Sequence, residues 1–247
     1  MKRYLFTPGP TPVPPEVLAA MGAPVVHHRS PDFRPIYERC LARLREVCRT
    51  ESDVLLFTSS GTGAFESAVS NLVSPGEPHL VVSAGSFGER WAAMTTAYGA
   101  DVDHLRYAWG ETPDPDDVRA RLAAREAKAV WIVQSETSTG VVADVQALAE
   151  AAKDAAALVV VDAVSSLGAV PCETDSWGLD VVVAGSQKAL MCPPGPFSSA
   201  AQGPPQRPPG SFACLLGGNP RAGRIRGCSG ALCGLCEAGR TFHKPSL

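Results

Sequence analysis

This chain lacks an excess of charge of either sign. Its 247 residues carry 22 Lys or Arg and 25 Asp or Glu, a formal net charge of −3. Such a balance lacks the basic surface that nucleic-acid binding requires. Long hydrophobic runs are missing too: no stretch approaches about 18 uninterrupted apolar residues. The first ten residues also lack the apolar core of a signal peptide. We therefore expect a cytoplasmic protein with no nucleic-acid or membrane partner.

The eight cysteines do not have the spacing of a disulfide framework. Cys40, Cys48, Cys172 and Cys192 are scattered, and we expect small core or surface residues at these positions. The fingerprint G-x-G-x-x-G is also missing, which disfavours a nicotinamide-dependent enzyme. With 45% hydrophobic residues, the chain can nevertheless bury a substantial core.

Hydrophobic periodicity over residues 1–195 alternates between strand and helix, which predicts an α/β fold with a mostly parallel sheet wrapped by helices. The predicted strands are Val54–Thr58, Leu80–Ser83, Val102–Arg106, Ala129–Gln134, Leu158–Asp162 and Val181–Ala184. The predicted helices are Phe33–Thr50, Gly63–Val73, Gly88–Tyr98, Asp114–Ala124 and Asp144–Ala155, with Asp114 and Asp144 as caps. The proline-rich run Thr7–Pro15 predicts an extended segment, on the surface or against a partner.

Small and polar residues follow several of these strands, where an open α/β sheet binds its ligands. Ser59–Ala64 places small residues at a helix amino end and predicts a phosphate cradle, although many such loops merely turn. Phe87 is either a residue that stacks on a flat ring or a core phenylalanine. Ser135–Gly140 is a cluster of hydroxyls beside a glutamate, and a solvated turn explains it better when it is taken alone.

Asp162 ends a fully apolar strand, and Lys188 follows the next strand at a turn of small residues. A buried carboxylate needs a cationic or hydrogen-bonded partner, so a cofactor cation and a helix-capping role are both open for Asp162. Lys188 alone is equally explained as a surface lysine that begins a helix. Together the two residues fit pyridoxal phosphate, which condenses with a lysine amine and needs an acid at its ring nitrogen.

Six segments, taken together in their order and spacing, resemble the class V aminotransferases of pyridoxal phosphate fold type I, in particular the alanine–glyoxylate and serine–pyruvate group. They are Phe6–Pro14, His28–Phe33, Ser60–Gly63, Glu136–Gly140, Val161–Gly168 and Gly185–Leu190, the last followed by Pro193–Gly195. The resemblance covers residues 1–195. It implies a cofactor-binding large domain over 1–195, with 1–15 extended, and pyridoxal 5'-phosphate as the cofactor. It also implies amino transfer from alanine or serine to glyoxylate or pyruvate.

Carried over by position, the resemblance assigns nine residues to the cofactor. Lys188 would hold the cofactor and move the substrate proton, and Asp162 would pair with the ring nitrogen; these are the two predicted catalytic residues. Phe87 and Val164 would cover the two ring faces, and Thr137 would hydrogen-bond the ring hydroxyl. The phosphate group would be bound by the remaining residues, Ser60, Gly61, Thr62 and Gln187. No metal is implied.

Residues 196–247 depart from this pattern. They hold seven prolines, nine glycines and four cysteines, with six Lys or Arg against one acidic residue, and we expect them to be disordered. The abrupt change indicates a shifted reading frame or an alternative end of the chain. We therefore expect an impaired enzyme, or an inactive fragment that binds pyridoxal phosphate at most. The lack of a hydrophobic strand after Pro194 predicts an unpaired sheet edge. The resemblance also implies a homodimer, and this tail argues against it.

A function of another class rests on the tail alone. Cys228, Cys233, Cys236 and His243 are separated by four, two and six residues, which loosely resembles a zinc knuckle. No flanking aromatic or turn pattern supports that interpretation. An interaction or zinc-binding module is the alternative to an aminotransferase.

Overall fold

A computed structural model describes residues 5–57 and 59–193, together with the backbone of Ser198–Ala201. The main sheet contains the strands β1 (Val54–Phe57), β2 (Pro78–Ser83), β3 (Asp101–Arg106), β4 (Ala129–Val133), β7 (Leu158–Asp162), β8 (Val181–Gly185) and β9 (Ser198–Ala201). A two-stranded ribbon is formed by β5 (Ser135–Glu136) and β6 (Val141–Val142). The helices are α1 (Pro15–Met21), α2 (Phe33–Cys48), α3 (Gly61–Leu72), α4 (Ser86–Ala97), α5 (Pro115–Ala124) and α6 (Val145–Asp154). Within the described ranges, no helix is both long and apolar enough to cross a bilayer.

The main sheet has the strand order β1-β9-β8-β7-β4-β2-β3. The pairs β2 with β3, β2 with β4, β4 with β7 and β7 with β8 are parallel. The six predicted strands are therefore all present, and the predicted α/β fold with a mostly parallel sheet is confirmed. Parallel strands direct their carboxyl ends to one edge, so the loops that follow β2, β4, β7 and β8 meet there.

Burial on both faces explains why the strands read as uninterrupted apolar runs. On β4, Trp131 packs with Phe65 of α3 and Trp91 of α4 on one face of the sheet. Its neighbours Val130 and Ile132 pack in a second hydrophobic cluster on the opposite face. All five side chains are 2% exposed or less. Removing each from water contributes roughly 1.5–3 kcal/mol, which holds the helices on the two faces of the sheet.

The helix ends follow the residues that can cap them. The side chain of Asp114 accepts from the amide of Asp116, and that of Asp144 accepts from the amide of Ala147, so both predicted caps are confirmed. Helix α2 ends at Cys48 instead of the predicted Thr50. The reason is that Arg49 adopts a left-handed conformation with φ 53°, which ends the helix.

The amino-terminal segment differs from its prediction in two ways. Helix α1 was not predicted, and it begins at Pro15, where proline is tolerated because the first helical amide needs no partner. Residues 5–14 are non-helical, as predicted, but part of this segment lies against the chain itself. The Thr11 amide donates to the Gln187 carbonyl at 3.1 Å, and the Thr11 hydroxyl donates to the Lys188 carbonyl at 2.8 Å.

The expected unpaired sheet edge is wrong. The backbone of β9 inserts between β1 and β8 and pairs antiparallel with both. These four residues lie inside the segment that the composition led us to expect as disordered. The backbone amides and carbonyls along the edges of β1 and β8 can be paired by any extended segment, whatever its side chains. Hydrophobic periodicity therefore does not detect such a strand. The rest of residues 196–247, including the four residues with zinc-knuckle spacing, lies outside the described residues.

The four described cysteines are free thiols, with Cys40 exposed and Cys48 and Cys172 buried. Burial raises the pKa of the Cys48 thiol to about 12 and that of Cys172 to about 11. Because alkylation proceeds through the thiolate, brief iodoacetamide treatment at pH 8 should label Cys40 and spare Cys48 and Cys172. Peptide mass spectrometry before and after denaturation measures this order. Early labelling of either buried thiol would show that the core is looser than described.

Candidate active site

A cavity of about 180 Å³ lies where the loops after β1, β2, β4, β7 and β8 come together. All nine predicted cofactor residues line it: Ser60, Gly61, Thr62, Phe87, Thr137, Asp162, Val164, Gln187 and Lys188. The fold thus brings together residues that are up to 128 positions apart in the chain, from 60 to 188. What each does to a cofactor stays a prediction.

Lys188 lies in the turn that follows β8 and is half-buried. Its side chain packs against the amino-terminal segment, because a Cβ built on Gly9 would lie 2.2 Å from Lys188 Cδ and 2.9 Å from Nζ. A larger residue at position 9 would force the Lys188 side chain to move. The turn is therefore held on one side by β8 and covered on the other by residues from the start of the chain.

Asp162 ends β7 with 4% of its surface exposed. Its Oδ1 accepts from the amide of Val164 at 2.8 Å, and no lysine or arginine nitrogen of the described residues lies within 4.0 Å of its carboxylate. Burial is the main cause that raises the pKa of Asp162 to about 7, and the negative charge of Glu136 adds to it. The positive charges of Arg90 and Lys188 act in the opposite direction. A carboxylate so placed favours a ligand that brings a positive charge.

The amino end of α3 forms another part of the cavity wall. Ser60 is the N-cap residue of this 12-residue helix and makes no side-chain capping hydrogen bond. A Cβ on Gly61 would lie 3.3 Å from Cγ1 of Val164, so the Val164 side chain packs closely on this turn. Helix amino ends attract anions because their first amides lack acceptors and carry partial positive charge.

The ring of Phe87 lies in the first turn of α4, and it is half-buried between the cavity and the core. The core interpretation therefore holds for part of the ring, and stacking on a ligand stays a prediction. The Arg90 guanidinium lies 5.1 Å from the centre of the Phe87 ring. Across the cavity wall, the Thr137 hydroxyl donates to the Ser165 hydroxyl at 2.8 Å.

The cavity has four further lining residues that sequence reasoning missed: Phe65, Arg90, Ser135 and Ser165. Arg90 follows Phe87 by three positions, so a helix start placed at Ser86 instead of Gly88 would have put both on one face. Phe65 likewise follows Thr62 by three positions on α3. Ser135 and Ser165 belong to motifs that the sequence singled out, but nothing distinguished them from the neighbouring hydroxyl residues.

A mostly parallel sheet flanked by helices is the fold of the pyridoxal-phosphate-dependent aminotransferases of fold type I, which are structural neighbours of this chain. The chain belongs to the aminotransferase class-V family, whose family model matches residues 3–196.

Individual relatives are similar to this chain over the same region. A soluble hydrogenase 42 kDa subunit of Anabaena cylindrica is 45% identical over 78% of this chain and 52% of that protein. An L-aspartate–glyoxylate aminotransferase of Paracoccus denitrificans is 40% identical over 77% of this chain and 50% of that enzyme. The crystal structure of an alanine–glyoxylate aminotransferase from Nostoc sp. matches with a TM-score of 0.78 and 35% identity, over 82% of this chain and 54% of that one. The chain thus spans about half the length of these relatives.

The raised pKa of Asp162 predicts how stability depends on pH. A carboxyl group with a pKa of about 7 when folded, against 3.8 ordinarily, binds its proton more tightly in the folded state. The unfolded chain releases this proton at lower pH, so the folded protein loses stability as the pH rises from 3.8 to about 7. Without added cofactor, Asp162→Asn should be more stable than wild type at pH 8, by on the order of 1–3 kcal/mol, and by less at pH 5.

Urea unfolding at the two pH values measures this difference. Asp144→Asn, the same change at an exposed cap, is the matched control and should show no gain that grows with pH. A gain of equal size at pH 5 and pH 8 would contradict the role of Asp162 ionisation.

Proposed function

We propose that this chain is a pyridoxal-phosphate-dependent aminotransferase that transfers an amino group from alanine or serine to glyoxylate or pyruvate. One observation carries the proposal: a single cavity joins a lysine amine, a buried carboxyl group that lacks a contacting cation among the described residues, and an uncapped helix amino end. Pyridoxal phosphate presents an aldehyde, a basic ring nitrogen and a phosphate, so its three polar groups match these three features.

The residues around the cavity fit this cofactor in the following roles. The Lys188 amine is the attachment point, and Asp162 faces the ring nitrogen, where a positive charge offsets the cost of its buried carboxylate. Phe87 and Val164 cover the ring faces, and Thr137 bonds the ring hydroxyl. The amino end of α3 and the amide of Gln187 hold the phosphate, and the residues that do so are Ser60, Gly61, Thr62 and Gln187.

When bound, the cofactor supplies an electron sink that lets an amino acid lose its Cα proton. The chain contributes the groups that control this step. Ionised Asp162 would keep a proton on the ring nitrogen and so maintain its electron demand. Lys188 would hold the cofactor, and its amine, when free, would carry the proton between the substrate Cα and a carbon of the cofactor. The apolar surfaces of Phe87 and Val164 exclude water from the ring.

The choice of substrates rests on the resemblance and on the named relatives. Two of them carry glyoxylate in their names, one with aspartate and one with alanine as the donor. Glyoxylate is therefore the best-supported acceptor, whereas the donor has to be tested among alanine, serine and aspartate.

Covalent trapping tests the proposal most directly. Protein mixed with pyridoxal phosphate should gain a visible absorbance band, and borohydride should fix the cofactor on the Lys188 peptide. Lys188→Arg keeps the positive charge but cannot condense with the aldehyde, so its band should be lost. Lys153→Arg, a matched change on α6, should keep it. Trapping on another lysine would overturn the assignment.

The same variants test turnover with each donor and glyoxylate. Whatever the rate of wild type, Lys188→Arg should abolish it. Equal turnover by wild type and Lys188→Arg would contradict the function.

We also propose that two copies of the chain associate through the amino-terminal elements. Exposed large hydrophobic side chains are more frequent in this stretch than elsewhere in the described residues, and their burial would favour association. Nine lie between positions 5 and 47: Leu5, Phe6, Leu18, Met21, Val25, Val26, Ile36, Tyr37 and Val47. Four lie elsewhere in the described residues: Tyr98, Trp109, Val142 and Met191. Phe6 and Val25 are 91% and 99% exposed.

Sedimentation equilibrium at micromolar concentration should therefore detect a dimer. The double variant Phe6→Ser with Val25→Ser should shift the protein toward monomer, because each change removes apolar surface from the contact. Trp109→Ser, which alters an exposed aromatic outside this region, should leave the equilibrium unchanged. A wild-type monomer at these concentrations would refute the association.

A further inference from the structure

Helix α4 begins without a capping side chain of its own, because its N-cap residue is Gly85. The first amides of a helix need acceptors from elsewhere. Oε2 of Glu136 accepts the amides of Phe87 and Gly88, both at 3.0 Å. Oγ of Ser138 accepts the amide of Ser86 at 3.0 Å. Three consecutive helix amides thus bond to side chains that lie 48 to 52 positions later in the chain.

The carboxylate of Glu136 is tightly enclosed, with 3% of the residue exposed. Its other oxygen accepts from the amide and the hydroxyl of Ser138. The partial positive charge at the amino end of α4 offsets the cost of burying a carboxylate. Residue 85 has to be glycine here, since a Cβ would lie 2.5 Å from Cγ of Glu136 and 2.6 Å from its Cδ.

The bonded turn of α4 carries the Phe87 ring to the cavity, whereas Glu136 itself does not line it. The position of the ring therefore depends on how firmly the turn is held. We infer that Glu136 is a positioning residue, which fixes the Phe87 ring against the face of the cofactor by holding the amino end of α4. This inference rests on the proposed function, because the Phe87 ring would contact the pyridine ring of pyridoxal phosphate.

A double-mutant cycle on cofactor affinity separates action through Phe87 from a general effect. Glu136→Gln keeps the size of the side chain but loses the charge and one acceptor, and we expect it to weaken pyridoxal phosphate binding about tenfold. Phe87→Ala removes the ring and should weaken binding by about tenfold as well. If Glu136 acts through Phe87, the double variant should be no more than about twofold weaker than Phe87→Ala alone.

Glu150→Gln makes the same chemical change at an exposed position of α6 and is the matched control, for which we expect unchanged affinity. Losses that multiply to about a hundredfold in the double variant would overturn the inference, because they would show that Glu136 acts independently of the ring.

A measurement without cofactor keeps this test independent of the proposed function. In Glu136→Gln, the amides of Phe87 and Gly88 should exchange their hydrogens at least about tenfold faster than in wild type, while amides in the middle of α4 keep their protection. Unchanged exchange at these two amides overturns the inference even if the protein proves not to bind pyridoxal phosphate. Loss of cofactor binding in wild type, with the exchange difference present, would refute the proposed function instead.

A second readout follows from charge, since the Glu136 carboxylate helps to raise the pKa of Asp162. Glu136→Gln should move the pH dependence of stability that arises from Asp162 to lower pH, because it removes that negative charge. If Glu136→Gln does not fold, Ser138→Ala provides the second variant, because it removes the hydroxyl that bonds both Glu136 and the Ser86 amide. It should speed exchange at Ser86 and Phe87, and unchanged exchange there would overturn the inference.

Discussion

Ionising a carboxyl group away from water is costly unless a positive charge or several donors face it. Asp162 is in this situation at the end of β7, with the Val164 amide as its hydrogen-bond donor and two cations that act only from a distance. The rest of the cavity is arranged around that constraint. Lys188 follows the neighbouring strand, and the helix end at Gly61 lies against Val164, two residues beyond the carboxyl group. A cofactor with a basic ring nitrogen would resolve the constraint and be oriented by it.

The part of the site that the sequence predicted shares one property: each residue lies at the end of a predicted strand or within four residues after it. Asp162 is conspicuous because a charged residue ends a stretch that must be a buried strand, and Lys188 because it lies in the turn that follows the next such strand. Arg90 has no such signal, since it lies inside an amphipathic helix whose start was placed two residues late. Glu136 was visible within its motif, but its acceptor role involves amides of α4 that lie 48 and 49 positions earlier. No local pattern reports a contact of that range.

The fold shows the same division between local and distant information. Strands and helices followed from hydrophobic period and caps, which depend on neighbouring residues. Strand β9 was missed because its pairing is a property of the backbone edges on β1 and β8, and those edges come from distant parts of the chain. The matched residues 3–196 nevertheless contain the whole set of predicted cofactor residues. The stretch that matches the family model thus carries the whole predicted site.

Strand order also governs the sequence of events during synthesis. Strand β1 is made first, yet its partner in the sheet is β9, the last described strand to leave the ribosome. The segment with Thr11 likewise finds its acceptors on residues 187 and 188, one of these hydrogen bonds spanning 177 positions. Contacts of such range close late, because a long loop has to be ordered before they contribute. Strand β1 therefore stays unpaired until nearly all of the described sheet exists, and an unpaired apolar strand is prone to aggregate in the meantime.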